Sequence, residues 1–205
     1  MIVHEEKLRT QEGGVFGWVV DEFVSRSVCQ QLIMLGRPTL KPSTTLEPQR
    51  ESYRTSSNTF LHYNEGMKPV DDVAKLVTDL IEVPIENCEG MQLVHYKPGQ
   101  YYKEHHDYFQ EGSSYWDREI GRGGQRTWTA FLYLNDVKEG GETGFPELGI
   151  NIPPKKGDVV VFHNTLANVA DTHPKINPRS LHGGMPVIKG EKWMVNLWFR
   201  ENLRY

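Results

Sequence analysis

The densest group of potentially reactive side chains lies near the middle of the chain, at His105, His106 and Asp107. In an extended strand, residues two apart share one face, so His105 and Asp107 would point the same way and His106 the opposite way. An imidazole beside a carboxylate can supply two ligands of a 2-His-1-carboxylate site, which suits non-haem Fe(II). The alternative is a surface cluster of charged groups with an ordinary histidine, because a His-x-Asp triplet arises easily by chance.

Three later histidines could supply the third ligand of such a site. His182 precedes Gly183 and Gly184, and glycines let the backbone and a ligand approach closely. His163 ends an apolar run and could equally be a core residue, whereas His173 lies in a loop before a proline. The local context favours His182 over His163 but does not decide between them.

The last predicted strand, 191–200, alternates between an apolar and a mixed face. Its odd positions from 193 to 199 are all apolar, which indicates packing on a core. The even positions carry Lys192, Met194, Asn196, Trp198 and Arg200. A lysine at the mouth of a cavity is well suited to bind a carboxylate. The alternative is that this second face is simply exposed to solvent.

The segment 126–134 alternates in the same way. Thr129 and Tyr133 share one face, and Trp128 and Leu132 lie on the other. The two hydroxyls could hydrogen-bond a bound acid, or they could satisfy neighbouring backbone groups. The pattern alone leaves both interpretations open.

The elements that must position these side chains form a helical part followed by a β-rich part. Ser25 is a predicted N-cap of a helix that reaches Gly36, and an apolar stripe from Val70 to Ile81 predicts a second helix, ended by Pro84. Beyond Pro84, turn residues separate short predicted strands at 91–96, 101–106, 126–134, 157–163, 179–183 and 191–200. The expected fold is mainly β with flanking α: an antiparallel double sheet of jelly-roll type, packed by N-terminal helices. Segment 110–125 is a predicted long loop of the kind that covers binding sites.

Composition bounds the remaining possibilities. With 205 residues, the chain is predicted to form one domain, 1–205, with helical N-terminal support at about 15–84 and a β core at about 85–202. A formal net charge of -4 argues against a nucleic-acid partner. Only Cys29 and Cys88 are present, so no disulfide framework is expected. No apolar run is long enough for a membrane span and no secretory signal is visible, so we expect a cytoplasmic protein.

Several short motifs carry a more specific resemblance. They follow one another at 54–57, 96–102, 105–109, 125–129, 133–137, 140–146, 156–158, 180–184 and 190–193. In these motifs and in their order, the chain resembles the Fe(II)/2-oxoglutarate-dependent oxygenases. Within them it is most similar to the prolyl 4-hydroxylases of the plant, bacterial and viral type, including the catalytic domain of the collagen enzyme.

The resemblance implies a double-stranded β-helix and a role for each matching residue. His105, Asp107 and His182 would be the iron ligands, and Lys192 would pair with the distal carboxylate of 2-oxoglutarate. Tyr96 and Thr129 would hydrogen-bond this cosubstrate, with Tyr133 as a further candidate. Tyr102, Arg126 and Trp198 match positions near the peptide groove and are expected on the substrate side.

The activity implied is the hydroxylation of proline in peptides or proteins, giving 4-hydroxyproline, succinate and CO2. O2 is the co-reactant, and ascorbate is the expected reductant. A lysine at the cosubstrate position, where related oxygenase groups use arginine, favours the prolyl 4-hydroxylase branch. Segments 110–124 and 170–178 depart from the family and leave the substrate open. The alternatives are an oxygenase acting on another side chain or a small molecule, and a non-catalytic jelly-roll binding module.

Overall fold

The computed structural model describes residues 5–9, 15–46, 53–166 and 174–203, which form three helices and a set of antiparallel sheets. The helices are α1 (Arg26–Gly36), α2 (Lys68–Ile81) and α3 (Trp116–Ile120). The strands are β1 (Glu5–Arg9), β2 (Val15–Val20), β3 (Lys41–Pro42), β4 (Ser57–Leu61), β5 (Cys88–Tyr96), β6 (Tyr102–His105), β7 (Arg126–Tyr133), β8 (Glu139–Gly140), β9 (Thr143–Phe145), β10 (Ile150–Ile152), β11 (Val159–His163), β12 (His182–Gly184), β13 (Val187–Lys189) and β14 (Lys192–Arg200).

The two predicted N-terminal helices are confirmed. The Ser25 side chain caps α1 by accepting a hydrogen bond from the backbone N–H of Val28, at 3.3 Å. Helix α2 buries its apolar stripe and ends at Ile81, because Glu82 takes a left-handed backbone conformation with φ of 55° before Pro84 is reached. Among the described residues, no helix is both long and apolar enough to cross a membrane.

The strands form the predicted jelly-roll core. The large sheet has the order β1-β2-β11-β7-β14-β5-β4-β3, and a smaller sheet has the order β10-β9-β12-β6. A third, two-stranded sheet pairs β13 with β8. The inner face of the large sheet packs on the smaller sheet through a cluster that includes Phe131, Phe145 and Phe162. The fold is therefore mainly β, and all its pairings are antiparallel.

The structure differs from the sequence prediction in the short strands. The run Val15–Val20 is itself a predicted strand and forms β2. The N-terminal part is not only a helical support, because β2 extends the large sheet towards one end and β3 and β4 extend it at the other. The strand predicted at 179–183 begins as a turn of 3-10 helix at 178–180 and becomes extended only at β12. Segment 110–125 is not irregular throughout, since α3 lies inside it.

Strand β14 lies at the centre of the fold and is buried on both faces. Its odd-numbered side chains pack with α1 and α2 in the outer core, through Val195 and Leu197 among others. Its even-numbered side chains point to the opposite side and are also buried, including Lys192, which is 1% exposed. The solvent-exposed alternative for this face is therefore wrong.

Candidate active site

Two histidines and one aspartate come together where β6 meets β12. The antiparallel register of these strands places His182 directly opposite His105, and Asp107 follows β6 by two residues. Asp107 Oδ1 lies 3.7 Å from His105 Nε2, and its Oδ2 lies 3.7 Å from His182 Nε2. The three ligand atoms lie within 4.8 Å of one another, and no second cluster of this kind occurs among the described residues. A one-sided set of this composition is the donor set of a non-haem Fe(II) site.

Both imidazoles are oriented to present Nε2 to the centre of this group. Nδ1 of His105 lies 2.8 Å from the carbonyl oxygen of Lys103, and Nδ1 of His182 lies 2.8 Å from that of Ser180. A carbonyl oxygen only accepts, so each Nδ1 carries a hydrogen and Nε2 is the ring nitrogen that faces the centre of the group. Backbone carbonyls commonly hold metal-binding histidines in this way.

The electrostatics of the cluster also suit a cation. Burial lowers the pKa of His105, and the neighbouring His182 lowers it further, so the His105 ring is neutral near pH 7. Burial alone would raise the pKa of Asp107, but His182, His105 and Arg126 together lower it. The site therefore holds a neutral ring and an ionised carboxylate, which are the protonation states that a metal ion requires.

The other histidines that could have been ligands lie elsewhere. His106 points away from the cluster, with its Nδ1 3.1 Å from the Ser180 hydroxyl oxygen. His163 stacks on Trp128, with ring centroids 3.5 Å apart. His173 lies outside the described residues. Of the three alternatives for the third position, the structure thus places His182 beside His105 and Asp107.

A cavity of about 310 Å³ opens from this cluster and contains the side chain of Lys192. The Lys192 ammonium lies 3.5 Å from the Thr143 hydroxyl, 5.6 Å from the ring centroid of Tyr96 and 5.4 Å from that of Tyr133. Within the described ranges, no carboxylate lies at ion-pair distance from it. Burial lowers the pKa of Lys192 to about 7, and Glu142 only partly opposes this. A buried ammonium without a counter-ion is costly, so the cavity is suited to an anionic ligand.

Thr143 also lines this cavity, although it was not among the residues predicted to contact the cosubstrate. Its hydroxyl accepts a hydrogen bond of 2.7 Å from Tyr133 and lies next to Lys192. Tyr96, predicted as a cosubstrate contact, is 4% exposed and lines the same cavity. Strand β9, which carries Thr143, has only three residues, too few for an alternating pattern to identify it.

Thr129 has a different environment from the one implied by the family resemblance. Its side chain does not line the cavity. The hydroxyl instead donates a 2.8 Å hydrogen bond to Asp107 Oδ2 and accepts one of 2.8 Å from Asn164 Nδ2. Its single hydrogen is therefore used by the carboxylate of the cluster and cannot also be donated to a cosubstrate.

The three residues predicted on the substrate side all line the cavity. Tyr102 stacks on His105 with ring centroids 3.7 Å apart, and burial raises the pKa of Tyr102 to about 12. Arg126 binds Glu89 through two hydrogen bonds of 2.7 and 2.8 Å and lies 4.0 Å above the Trp198 ring. These contacts fix the Arg126 guanidinium as part of the cavity wall.

Three further polar side chains, Arg54, Asn196 and Trp198, line the cavity. Within the described part of the chain, Trp198 Nε1 and Asn196 Oδ1 are buried and have no partner. Arg54, which also lines the cavity, donates to Gln92 Oε1 at 3.0 Å and lies 4.9 Å above the Tyr102 ring. Buried polar atoms without a partner are rare in proteins, and these two belong to residues of the cavity wall.

A buried ionic network ties segment 110–125 to the wall of the site. Arg200, which is 1% exposed, donates to the backbone carbonyls of Glu119 and Gly124, at 2.9 and 2.7 Å. It also binds the Glu119 carboxylate at 2.9 Å and the carboxylate of Glu89, the partner of Arg126. Local sequence patterns cannot predict this network, because Arg200 is 81 positions from Glu119 and 111 positions from Glu89.

Removing Arg200 is expected to destabilise the fold. In Arg200→Met, the buried Glu89 and Glu119 carboxylates lose a cationic partner, so we expect the free energy of unfolding to fall by about 3–5 kcal/mol. Arg118→Met is a matched control, because Arg118 binds the same Glu119 from a half-exposed position and should contribute at most about 1 kcal/mol. Urea unfolding measures both. Equal effects of the two substitutions would contradict this interpretation of the network.

Comparison with known proteins agrees with the geometry of the site. Residues 91–200 match the family model described as the 2OG-Fe(II) oxygenase superfamily. Two curated Arabidopsis thaliana proteins are similar: prolyl 4-hydroxylase 1 is 36% identical over 89% of this chain and 68% of its own length, and prolyl 4-hydroxylase 5 is 35% identical over 88% and 67%. The crystal structure of the viral collagen prolyl hydroxylase from Paramecium Bursaria Chlorella virus-1, a 2OG complex, is 31% identical with a TM-score of 0.71, covering 91% of this chain and 97% of that one.

The matched region contains the whole cluster, Lys192 and most of the cavity wall. The identity to the relatives extends over about nine-tenths of the chain, well beyond that region. The chain is thus an Fe(II)/2-oxoglutarate-dependent dioxygenase of the 2OG-Fe(II) oxygenase superfamily and belongs, within it, to the prolyl 4-hydroxylase family.

Proposed function

We propose that this protein hydroxylates proline residues in peptides or proteins at carbon 4. The observation that carries the proposal is the one-sided group of His105, Asp107 and His182, which shares one cavity with the buried Lys192, an ammonium that has no carboxylate partner among the described residues. The names of the similar plant and viral proteins support proline as the target. Lysine at the position of the acid-binding residue supports the same branch of the family.

In this proposal, His105, Asp107 and His182 hold Fe(II) through the two Nε2 atoms and the carboxylate. The neutral His105 ring and the ionised Asp107 are ready to bind without releasing protons. When bound, Fe(II) and 2-oxoglutarate supply the oxidative chemistry, in which O2 and 2-oxoglutarate are consumed and succinate and CO2 are produced. Ascorbate is proposed as the reductant that keeps the iron ferrous.

Lys192 is proposed to bind the distal carboxylate of 2-oxoglutarate. Its ammonium is desolvated before the ligand arrives, so pairing with a carboxylate in this cavity is stronger than the same pairing in water. Thr143 and Tyr96 line the same end of the cavity and can add hydrogen bonds to the acid. Tyr133, the further residue expected to contact the cosubstrate, donates a hydrogen bond to the Thr143 hydroxyl and so orients it.

The substrate side of the cavity is proposed to bind a peptide. Asn196, Trp198 and Arg126 line this side of the cavity, so an extended peptide bound there would lie against amide, indole and guanidinium groups. Tyr102 provides a flat ring beside His105, against which a pyrrolidine ring can pack. A proline-rich segment costs little entropy to bind, because its extended conformation is largely preset.

The domain organisation is part of the proposal. Residues 85–202 form the catalytic core, and residues 15–84 support it within a single domain, 1–205. The packing of α1 and α2 on the outer face of the large sheet supports this division, as does the family match over 91–200. Strands β2 and β4 belong to the large sheet, which supports a single domain in which the N-terminal part packs with the core.

The direct test is mass spectrometry of proline-rich peptides after incubation with Fe(II), 2-oxoglutarate and ascorbate. We expect one added oxygen on proline, assigned to carbon 4 by amino-acid analysis, together with succinate. A peptide with alanine in place of each proline is the matched control and should stay unmodified. Succinate release stimulated only by substrates without proline would instead indicate another target. No succinate under any condition would indicate a binding module.

A further inference from the structure

We infer that Asn164 and Thr129 form a relay of hydrogen bonds that orients the Asp107 carboxylate for metal binding. Neither side chain touches the cavity, so both act through Asp107 as positioning residues. The inference rests on the proposed metal site and assigns to Thr129 a task different from cosubstrate binding.

The relay is short and enclosed. Asn164 Nδ2 lies 2.8 Å from Thr129 Oγ1, which lies 2.8 Å from Asp107 Oδ2. Asn164 and Thr129 are fully buried, and Asp107 is 6% exposed. Thr129 sits in β7, and Asn164 directly follows the neighbouring β11, where its backbone N–H donates to the Thr127 carbonyl at 2.8 Å. The sheet therefore fixes both backbones, and water is largely excluded from the bonds between them.

The direction of the relay follows from the chemistry of its ends. An amide nitrogen donates and an ionised carboxylate only accepts, so the Thr129 hydroxyl must accept from Asn164 and donate to Asp107. Turning the Asn164 amide around would set two acceptors against one hydroxyl hydrogen. As oriented, Asn164 Oδ1 is buried without a partner among the described residues. The described side-chain hydrogen bond of Asn164 is therefore the one from Nδ2 to Thr129.

The consequence for Asp107 is that its two carboxylate oxygens differ: Oδ2 accepts the hydrogen bond from Thr129, and Oδ1 does not. Oδ1 lies 3.7 Å from His105 Nε2 and 3.9 Å from the Arg126 guanidinium. The carboxylate plane is therefore set before any metal arrives. Outer-shell hydrogen bonds of this type contribute about 10–100-fold to metal affinity in other proteins.

The test is a titration of the full chain with Mn²⁺. Binding is measured as the decrease of the electron paramagnetic resonance signal of free Mn²⁺. Thr129→Val keeps the shape of the side chain and removes the hydroxyl, so we expect Mn²⁺ affinity to fall by about 10–100-fold. Thr129→Ser keeps the hydroxyl and should bind close to wild-type strength. Asn164→Leu should weaken binding when Thr129 is present and should have little further effect in the Thr129→Val background.

Several results would overturn the relay. One is a folded Thr129→Val variant that binds Mn²⁺ as tightly as the wild type. Another is an effect of Asn164→Leu on Mn²⁺ affinity that is equally large in the wild-type and Thr129→Val backgrounds. If Thr129→Val does not fold, as judged by thermal unfolding, Asn164→Leu decides alone, and unchanged affinity there rejects the inference. The His182→Ala variant separates this test from that of the proposed function. If the wild type and His182→Ala bind Mn²⁺ equally, the proposed metal site is wrong. If Mn²⁺ binding depends on His182 but not on Thr129, the metal site stands and only the proposed relay is wrong.

Discussion

Lys192→Met is expected to weaken the binding of 2-oxoglutarate by at least about 30-fold, since removing one partner of a buried charge pair costs about 2 kcal/mol or more. Methionine fills similar space but cannot bind a carboxylate in the cavity. Isothermal titration with 2-oxoglutarate in the presence of Mn²⁺ measures the loss. Lys189→Met, at an exposed position on β13, is the matched control and should bind like the wild type.

The same substitution is expected to stabilise the protein in the absence of 2-oxoglutarate. Wild-type Lys192 is 1% exposed and has no carboxylate partner in the described ranges, so its charge opposes folding. Replacing a buried ion pair by hydrophobic residues of similar volume stabilises other proteins by up to about 1–4 kcal/mol, and here no attraction to a carboxylate is lost in the replacement. Thermal unfolding should therefore give a higher Tm for Lys192→Met than for the wild type. A lower Tm would mean that the ammonium has a partner that stabilises the unliganded fold.

The pH dependence of both effects follows from the pKa of Lys192. Burial lowers this pKa to about 7, whereas an unfolded lysine titrates near ~10.4. The charged form binds the acid, so affinity for 2-oxoglutarate should be highest below pH 7 and should fall as pH rises above it. Between about pH 7 and 10 the unfolded chain binds more protons at this position than the folded one, so its contribution to stability rises with pH. Lys192→Met should remove this rise, which urea unfolding across the range can measure.

Asp107→Asn is expected to abolish turnover by removing the one anionic ligand of the proposed metal site. The amide cannot replace the charge of the carboxylate, and its NH2 group would face either the metal or the Thr129 hydroxyl. Substitutions of residues that only support a metal ligand lower metal affinity by up to about 100-fold. We expect Asp107→Asn, which changes a ligand itself, to lower Mn²⁺ affinity by more than that. Peptide hydroxylation should be lost in the same variant.

Glu104→Gln is the matched control for this prediction. It makes the same chemical change three residues earlier, at an exposed position on β6. Metal affinity and turnover should remain near wild-type values. Strong Mn²⁺ binding by Asp107→Asn, or an equal loss in Glu104→Gln, would be incompatible with Asp107 as a ligand.

Much of the site was predictable because its residues lie in regular strands. Alternation along β14 separates Lys192 and Asn196 from Val195 and Leu197, and the structure places these pairs on opposite sides of the sheet. The choice between His163 and His182 was not predictable from local pattern. It depends on the pairing of β12 with β6, which sets His182 opposite His105 and cannot be read from either segment alone.

The features that sequence reasoning missed depend on contacts between distant segments. Thr143 lies in a strand of three residues, and its role becomes visible only when Lys192 is brought beside it. The environment of Thr129 depends on Asn164, which is 35 positions away. Single polar residues carry no periodic signal, so their partners emerge only from the fold.

The double-sided burial of β14 has a consequence for the motions of the protein. Its backbone is paired along its length with β5 on one side and β7 on the other, between two cores. Amide hydrogens in such a strand exchange with solvent only when the whole domain opens, whereas those of short peripheral strands such as β13 exchange through local fluctuations. Deuterium uptake should therefore be slowest around Val195. Strand β14, which carries Lys192, would then stay rigid on the timescale of turnover. Any movement that admits the substrate must come from the surrounding loops.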